Sequence, residues 1–82
     1  MRLVSRFKVL LAEKEMRERR TISLREVVRE TGVPISTVQG LANNTLREIP
    51  AEGVVALCRY LDCAVGDLLQ LGERQEAELV GA

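Results

Sequence analysis

The chain has 82 residues, of which 46% are hydrophobic and 29% are charged, and its 12 Lys and Arg residues balance its 12 Asp and Glu residues. This length and composition are typical of one soluble globular domain, and with one Phe, one Tyr and no Trp its core has to be aliphatic. A net charge of zero, taken by itself, argues against a nucleic-acid partner.

Targeting segments and metal sites are not predicted. The apolar run at residues 9–12 is interrupted by charges too early for a signal peptide, and no uncharged stretch approaches the roughly 20 residues that span a bilayer. We therefore expect a cytoplasmic protein. Cys58 and Cys63 lie five residues apart in a chain without His, which favours reduced structural thiols over a disulfide or a zinc site. No cofactor is predicted.

The zero net charge conceals an uneven distribution. Residues 1–47 contain ten basic and five acidic residues, a net charge of +5, whereas residues 48–82 contain two basic and seven acidic residues, a net charge of −5. Such asymmetry is typical of a chain with a polyanion-binding end, although helices that carry balanced charge pairs for solubility would also produce it.

Apolar residues at helical spacing predict five short helices. The first covers residues 4–18. The second follows Ser23, which with Glu26 forms the pattern of a capping box, and it ends at Gly32.

The later helices are shorter. Pro34 opens a third helix that runs from Ile35 to Asn43, with Val38 and Leu41 facing inward, and Asn44 can adopt the left-handed conformation that closes it. After a loop at residues 45–49, a fourth helix covers residues 50–61 and a fifth covers residues 65–71. Five helices without a strand predict a compact all-α domain over residues 1–71, followed by a tail at 72–82.

The joint between the second and third helices is the most informative feature. One helix ends in Gly32, about three residues turn, and a second short helix begins at Pro34 or Ile35. This is the spacing of a helix-turn-helix, here at about residues 23–43, in which the second helix enters the major groove of DNA.

The residues of this joint carry a family resemblance. Residues 24–44 (LREVVRETGVPISTVQGLANN) closely resemble the lambda-repressor-like, or XRE-like, helix-turn-helix family of phage repressors and Cro proteins, and residues 57–69 (LCRYLDCAVGDLL) resemble the ending of its short single-domain members. The resemblance covers about residues 3–71. It implies a five-helix domain that binds operator DNA, usually as a homodimer, and regulates transcription, most often as a repressor.

The sequence departs from the family pattern at three positions. Val28 stands where a small Ala is usual, and Asn44 replaces the usual Gly after the third helix. Gly40 occupies a position where many members carry a side chain that faces the groove. A glycine there costs about 1 kcal/mol of helix propensity, and either close approach of the backbone to a base pair or close packing within the protein would account for it.

The geometry of the third helix predicts which residues read bases. Ile35, Ser36, Gln39 and Gly40 lie opposite Val38 and Leu41. Gln bonds adenine in a bidentate manner, Ser bonds several base edges, and Ile contacts a thymine methyl group. Ser36 and Gln39 could instead be solvated or bind phosphate, and Ile35 could pack on the second helix.

Phosphate contacts are predicted beside these residues. The start of the second helix at Ser23 and Leu24 offers free backbone N–H groups to a phosphate, and Thr37 is expected to contact a phosphate or the helix start. The family resemblance adds Asn43 and Arg47, just after the reading helix. Arg20 and Arg25 either add positive charge or remain solvated.

Two other functions compete with this hypothesis. Residues 33–46 contain no Lys or Arg, which favours a protein-interaction module or an antitoxin-type component that binds a partner protein through the acidic half. An enzyme is disfavoured, because the chain has no His, no Gly-rich phosphate loop and no carboxylate pair, so no catalytic residue is predicted. For a homodimer, Leu71, Leu79 and Val80 are the predicted interface residues.

Overall fold

The computed structural model describes residues 2–72 and contains five helices and a two-stranded sheet. In chain order the elements are β1 (Arg2–Ser5), α1 (Phe7–Glu18), α2 (Leu24–Thr31), α3 (Ile35–Asn43), α4 (Ala51–Leu61), α5 (Val65–Leu68) and β2 (Leu69–Gly72). The predicted all-α class is confirmed, with the small sheet as an addition. The predictions for residues 73–82, including Leu79 and Val80, lie outside the described residues.

A single aliphatic core lies between the helices. Within residues 2–72 no polar or charged residue is buried, so the core itself is held by apolar packing. The core consists of Phe7, Leu10, Leu11, Ile22, Val27, Val33, Val38, Leu41, Leu57, Leu61 and Leu68. Val38 and Leu41 face inward as predicted, and they fix the orientation of α3 against the rest of the domain.

Two predicted helix ends are wrong because the chain forms a sheet there. Residues 2–5 pair in antiparallel fashion with residues 69–72, from Arg2 opposite Gly72 to Ser5 opposite Leu69. The first helix therefore begins at Phe7 instead of residue 4, and the fifth ends at Leu68 instead of residue 71. The physical reason is that the two strands come from opposite ends of the described chain, and backbone pairing between them outweighs the local helical spacing.

The helix ends nearest the predicted joint agree with the sequence. Ser23 is the N-cap of α2, Gly32 adopts a φ of 77° at its end, and Asn44 adopts a φ of 59° at the end of α3. Pro50 is the N-cap of α4, one residue before the helix begins at Ala51. No helix within residues 2–72 is both long enough and apolar enough to cross a membrane.

Candidate nucleic-acid interface

Two side chains accept hydrogen bonds from backbone N–H groups at the start of α2. Ser23 Oγ accepts a hydrogen bond from the backbone N–H of Glu26 at 3.1 Å, which satisfies one of the donors that a helix start leaves free. The Glu15 carboxylate accepts another from the backbone N–H of Ile22 at 2.7 Å, so the link before α2 is tied to α1. The N–H groups of Leu24 and Arg25, which have no partner among the described residues, are therefore presented from a well-defined position.

Arg20 is engaged by acidic neighbours. Its guanidinium lies 2.6 Å from the Glu26 carboxylate and 2.8 Å from that of Glu18, and the hydrogen bonds to Glu26 and then to Glu18 raise the pKa of Arg20. Glu18 also pairs with Lys14 at 2.7 Å, and this hydrogen bond is the main cause that lowers the pKa of Glu18. Arg20 was expected either to add positive charge or to remain solvated, and its pairing with two carboxylates at the surface favours neither free charge nor a fully solvated side chain.

The turn between α2 and α3 is built around Thr31, a residue for which the sequence alone predicts no role. Its hydroxyl donates to the carbonyl of Val27 at 2.7 Å and accepts from the N–H of Val33 at 3.1 Å. The N–H of Gly32 donates to the carbonyl of Val28 at 2.8 Å, and the side chain of Val33 is buried. Thr31 therefore ties the end of α2 to the turn that leads to α3. The Thr-Gly pair in the sequence was the available signal, since a hydroxyl before a turn glycine can bond the backbone on both sides.

The outer face of α3 is polar and uncharged. Val38 is fully buried and Leu41 is 2% exposed, whereas Ser36 and Gln39 are exposed and Ile35 keeps 40% of its surface accessible. Asn43 is exposed as well and lies four residues after Gln39, so both side chains share one face of the helix. The structure thus brings Ser36, Gln39 and Asn43 together in one row, with Ile35 at its edge. Their predicted roles toward bases and phosphates stay predictions.

Gly40 does not belong to that exposed row. A Cβ atom at this position would lie 2.9 Å from Leu46 Cδ1 and 3.2 Å from Leu46 Cβ, closer than ordinary packing allows. The missing side chain therefore makes room for the loop that follows α3. This geometry supports close packing as the reason for the glycine, so the prediction of a base contact from Gly40 loses its support from face geometry.

The predicted phosphate contacts occupy different environments. Ser23 and Arg47 are exposed, Thr37 is half-buried, and the Leu24 side chain packs against the core, which leaves only its backbone N–H for a phosphate. Within residues 2–72, Arg25 and Arg47 form no ion pair. Arg47 is thus an exposed cation in the loop that follows the row on α3.

The cysteines lie away from this surface, on α4 and in the turn that follows it. Cys58 and Cys63 are both free thiols and half-buried. Burial, and after it the neighbouring Cys58, raises the pKa of Cys63 to about 11. Among residues 2–72, no group of His, Cys, Asp and Glu side chains is arranged to hold a metal ion.

The comparisons with known proteins agree with this geometry. A family model described as a Cro/C1-type HTH DNA-binding domain matches residues 6–72, which include all five helices. No curated protein and no solved structure matches the chain.

Proposed function

Since the chain belongs to the family of Cro/C1-type helix-turn-helix DNA-binding domains, we propose that it is a transcriptional repressor that binds double-stranded operator DNA in a sequence-specific manner. The observation that carries this proposal is the outer face of α3. It presents Ser36, Gln39 and Asn43 in one exposed row while Val38 and Leu41 anchor the opposite face in the core. A helix held in this way can enter the major groove without losing its own packing.

Sequence preference would come from three side chains. Gln39 has the donor and acceptor pattern that matches adenine, Ser36 can bond several base edges, and the accessible part of Ile35 suits a thymine methyl group. Because α3 carries no Lys or Arg, the strong Arg–guanine contact is excluded for this helix, and we expect a site richer in A·T than in G·C pairs at the positions that α3 reads.

Phosphate contacts would set the register. The proposed phosphate contacts lie on either side of the reading helix. They are the N–H groups at the start of α2, the hydroxyls of Ser23 and Thr37, the Asn43 side chain and the exposed Arg47. Since few of these groups are charged, we expect modest non-specific affinity and a strong dependence of total affinity on the bases that α3 contacts.

We also propose that two copies bind as a homodimer. Leu71 is 70% exposed and Leu3, its partner across the sheet, is 45% exposed, so these two leucines form an exposed apolar patch on the sheet. A second copy that covers this patch would give two reading helices for two half-sites, which lie about 34 Å apart on DNA when they are one helical turn apart.

The deciding experiment is selection of bound duplexes from random DNA at two salt concentrations. We expect a recurring sequence with two related half-sites, and an affinity that falls as salt rises, because phosphate contacts release counterions. Failure to enrich any sequence, or affinity that does not change with salt, would contradict the proposal.

Two substitutions separate base reading from phosphate binding. Gln39→Ala should weaken binding to the selected duplex by about 1–3 kcal/mol and relax the preference at one base pair, with little effect on unrelated DNA. Arg47→Gln should weaken binding to all duplexes alike and lower the slope of log affinity against log salt by about 1. Arg59→Gln, which removes an exposed cation from α4, is the matched control and should change neither quantity.

A further inference from the structure

Asn44 ends the reading helix in a left-handed conformation, although the residue has a side chain. Its φ is 59° and its ψ is 39°, and its N–H donates to the carbonyl of Leu41 while the N–H of Thr45 donates to the carbonyl of Gly40 at 2.8 Å. These two bonds are those of a Schellman motif, in which glycine is the favoured residue at the Asn44 position. An asparagine is tolerated there, but the turn itself does not require one.

The side chain of Asn44 has a separate partner in the N-terminal strand. Asn44 Oδ1 accepts a hydrogen bond from the backbone N–H of Ser5 at 2.9 Å, and Arg2 Nη2 lies 3.4 Å from the Asn44 carbonyl oxygen. The Ser5 N–H lies on the side of β1 that faces away from β2, where a strand edge otherwise leaves its donors unpaired. Asn44 thus joins the sheet to the end of the reading helix.

The surrounding packing makes this junction tight. Leu46 reaches so close to Gly40 that no Cβ would fit between them without a shift. The cavity enclosed between β1, the end of α3 and the following loop has a volume of about 10 Å³, enough for one water molecule at most. Strand β1, the C-terminal end of α3 and the loop that carries Arg47 are therefore packed against one another.

We propose that Asn44 is a positioning residue for DNA recognition: through its hydrogen bond to Ser5 it uses the sheet to hold the end of α3, and with it Asn43 and Arg47, at the angle that the operator requires. The inference rests on the proposed DNA-binding function. Binding groups have to be held within about 0.5 Å of their productive positions, and a helix of nine residues that ends in a loop needs support at that end.

Asn44→Gly removes the side-chain acceptor of the Ser5 N–H and keeps the backbone carbonyl that faces Arg2. It also keeps the turn, because glycine adopts the left-handed conformation at least as readily as asparagine. The variant should fold and melt at a temperature no lower than that of the parent chain. We expect it to bind the selected duplex about three- to tenfold more weakly, the loss that corresponds to one hydrogen bond. Its Ser5 amide proton should exchange faster with solvent.

The matched control is Asp62→Gly. Asp62 ends α4 in the same left-handed conformation, with a φ of 57°, but its side chain forms no hydrogen bond to another described residue. Removing this acidic residue should leave DNA affinity unchanged or raise it slightly. An equal loss of affinity in both variants would show that glycine at any helix end has this effect, and it would overturn the role of the junction.

A double-mutant cycle tells positioning from direct contact with DNA. Ser5→Pro removes the N–H donor, and Ser5→Ala, which keeps that donor, controls for the Ser5 hydroxyl that accepts from the N–H of Phe7 at 3.2 Å. If Asn44 acts through Ser5, adding Asn44→Gly to Ser5→Pro should cause no further loss of affinity. If Asn44 contacts a phosphate directly, the full loss should persist in the Ser5→Pro background, and the proposal fails.

The outcomes separate the two proposals. A parent chain that enriches no duplex overturns both the proposed function and the positioning role. A parent chain that binds its selected duplex, together with an Asn44→Gly variant of unchanged affinity, overturns only the positioning role. Should Ser5→Pro fail to fold, the amide exchange of Ser5 and the affinities of the Asn44→Gly and Asp62→Gly variants still decide the matter.

Discussion

Gly32 and Gly40, one on each side of the helix-turn-helix joint, show two different reasons for a glycine. Gly32 has a φ of 77°, a conformation that residues with a side chain rarely adopt, and nothing lies within 4 Å of the place where its Cβ would be. Gly40 lies within α3, and a residue with a side chain would be too crowded there, because Leu46 lies where the Cβ atom would be. The sequence favours glycine at both positions, but only the neighbours in space tell the reasons apart.

This difference predicts the effect of Gly40→Ala. Alanine in a helix interior normally stabilises by about 0.5–1 kcal/mol, but here its Cβ would push against Leu46, so we expect no gain or a net loss in the free energy of unfolding. Gly53→Ala is the matched control in α4, because the nearest atom to its Cβ would be Ile49 Cγ1 at an ordinary 3.6 Å. Urea denaturation should show Gly53→Ala to be the more stable variant, and equal stability would contradict the close contact at Gly40.

The thiols allow a prediction about pH. Burial, and next the neighbouring Cys58, raises the pKa of Cys63 from 9.0 to about 11. Between these values the folded chain retains a proton that the unfolded chain has lost, so stability should fall as pH rises through this window and should be unaffected below it. The thiolate is the reactive form, so Cys63 should react slowly with iodoacetamide at pH 8.

The alkylation rate is best measured on Cys58→Ser, which leaves one thiol. Because burial is the largest cause of the raised pKa, the rate should still rise steeply above pH 9 instead of levelling off there. The same protein unfolded in urea is the control. A folded chain that reacts as fast as the unfolded one at pH 8 would show that the thiol is not protected.

At the scale of elements, α2 and α3 were predicted to the residue, whereas α1 and α5 were not. Ser23, Gly32 and Asn44 set the ends of α2 and α3 by local backbone chemistry, which can be read from neighbouring positions. The end of α5 depends on β1, which lies at the other end of the described chain. Pairing over such a separation leaves no periodic trace in either segment.

The start of α2 serves both stability and the proposed phosphate contact, and two substitutions separate these roles. Ser23→Ala removes the acceptor for the N–H of Glu26 and should lower the free energy of unfolding by about 1 kcal/mol. Ser23→Asp keeps an acceptor and should retain stability, but its negative charge should weaken DNA binding if a phosphate lies there.

Thermal denaturation and a binding titration measure the two effects. Ser36→Ala, on the exposed face of α3, is the control for the loss of a serine hydroxyl, and it should leave stability within about 0.5 kcal/mol. A Ser23→Asp variant that binds DNA as tightly as the parent chain would remove the start of α2 from the set of proposed phosphate contacts.

Charge and apolar surface are properties of the whole molecule. The basic half of the chain contains the helix-turn-helix, but Arg20 within it is paired with Glu18 and Glu26, so fewer cations are available than the count suggests. The acidic half contains α4 and α5. The apolar surface left exposed on the sheet includes Leu71, one of the residues that the sequence predicts for a dimer interface.

Leu71→Asp tests whether this surface joins two copies. A charge at a position that is 70% exposed costs the single copy little, whereas in a buried interface it would be desolvated, so we expect a lower dimer fraction in sedimentation. Met16→Asp, at a position on α1 that is 78% exposed, is the matched control and should leave the dimer fraction unchanged. An unaltered sedimentation profile for Leu71→Asp would exclude the sheet as the interface.

Capping residues, glycine and apolar spacing act over a few neighbouring positions, so the helix-turn-helix, its boundaries and the inward-facing Val38 and Leu41 could be predicted from the sequence. The sequence also indicated the family that the comparison found over residues 6–72. The sheet, the closeness of Gly40 to Leu46 and the hydrogen bond from Ser5 to Asn44 are visible only in the folded structure. Each of these joins residues that become neighbours only when the chain has folded, so no local pattern encodes them.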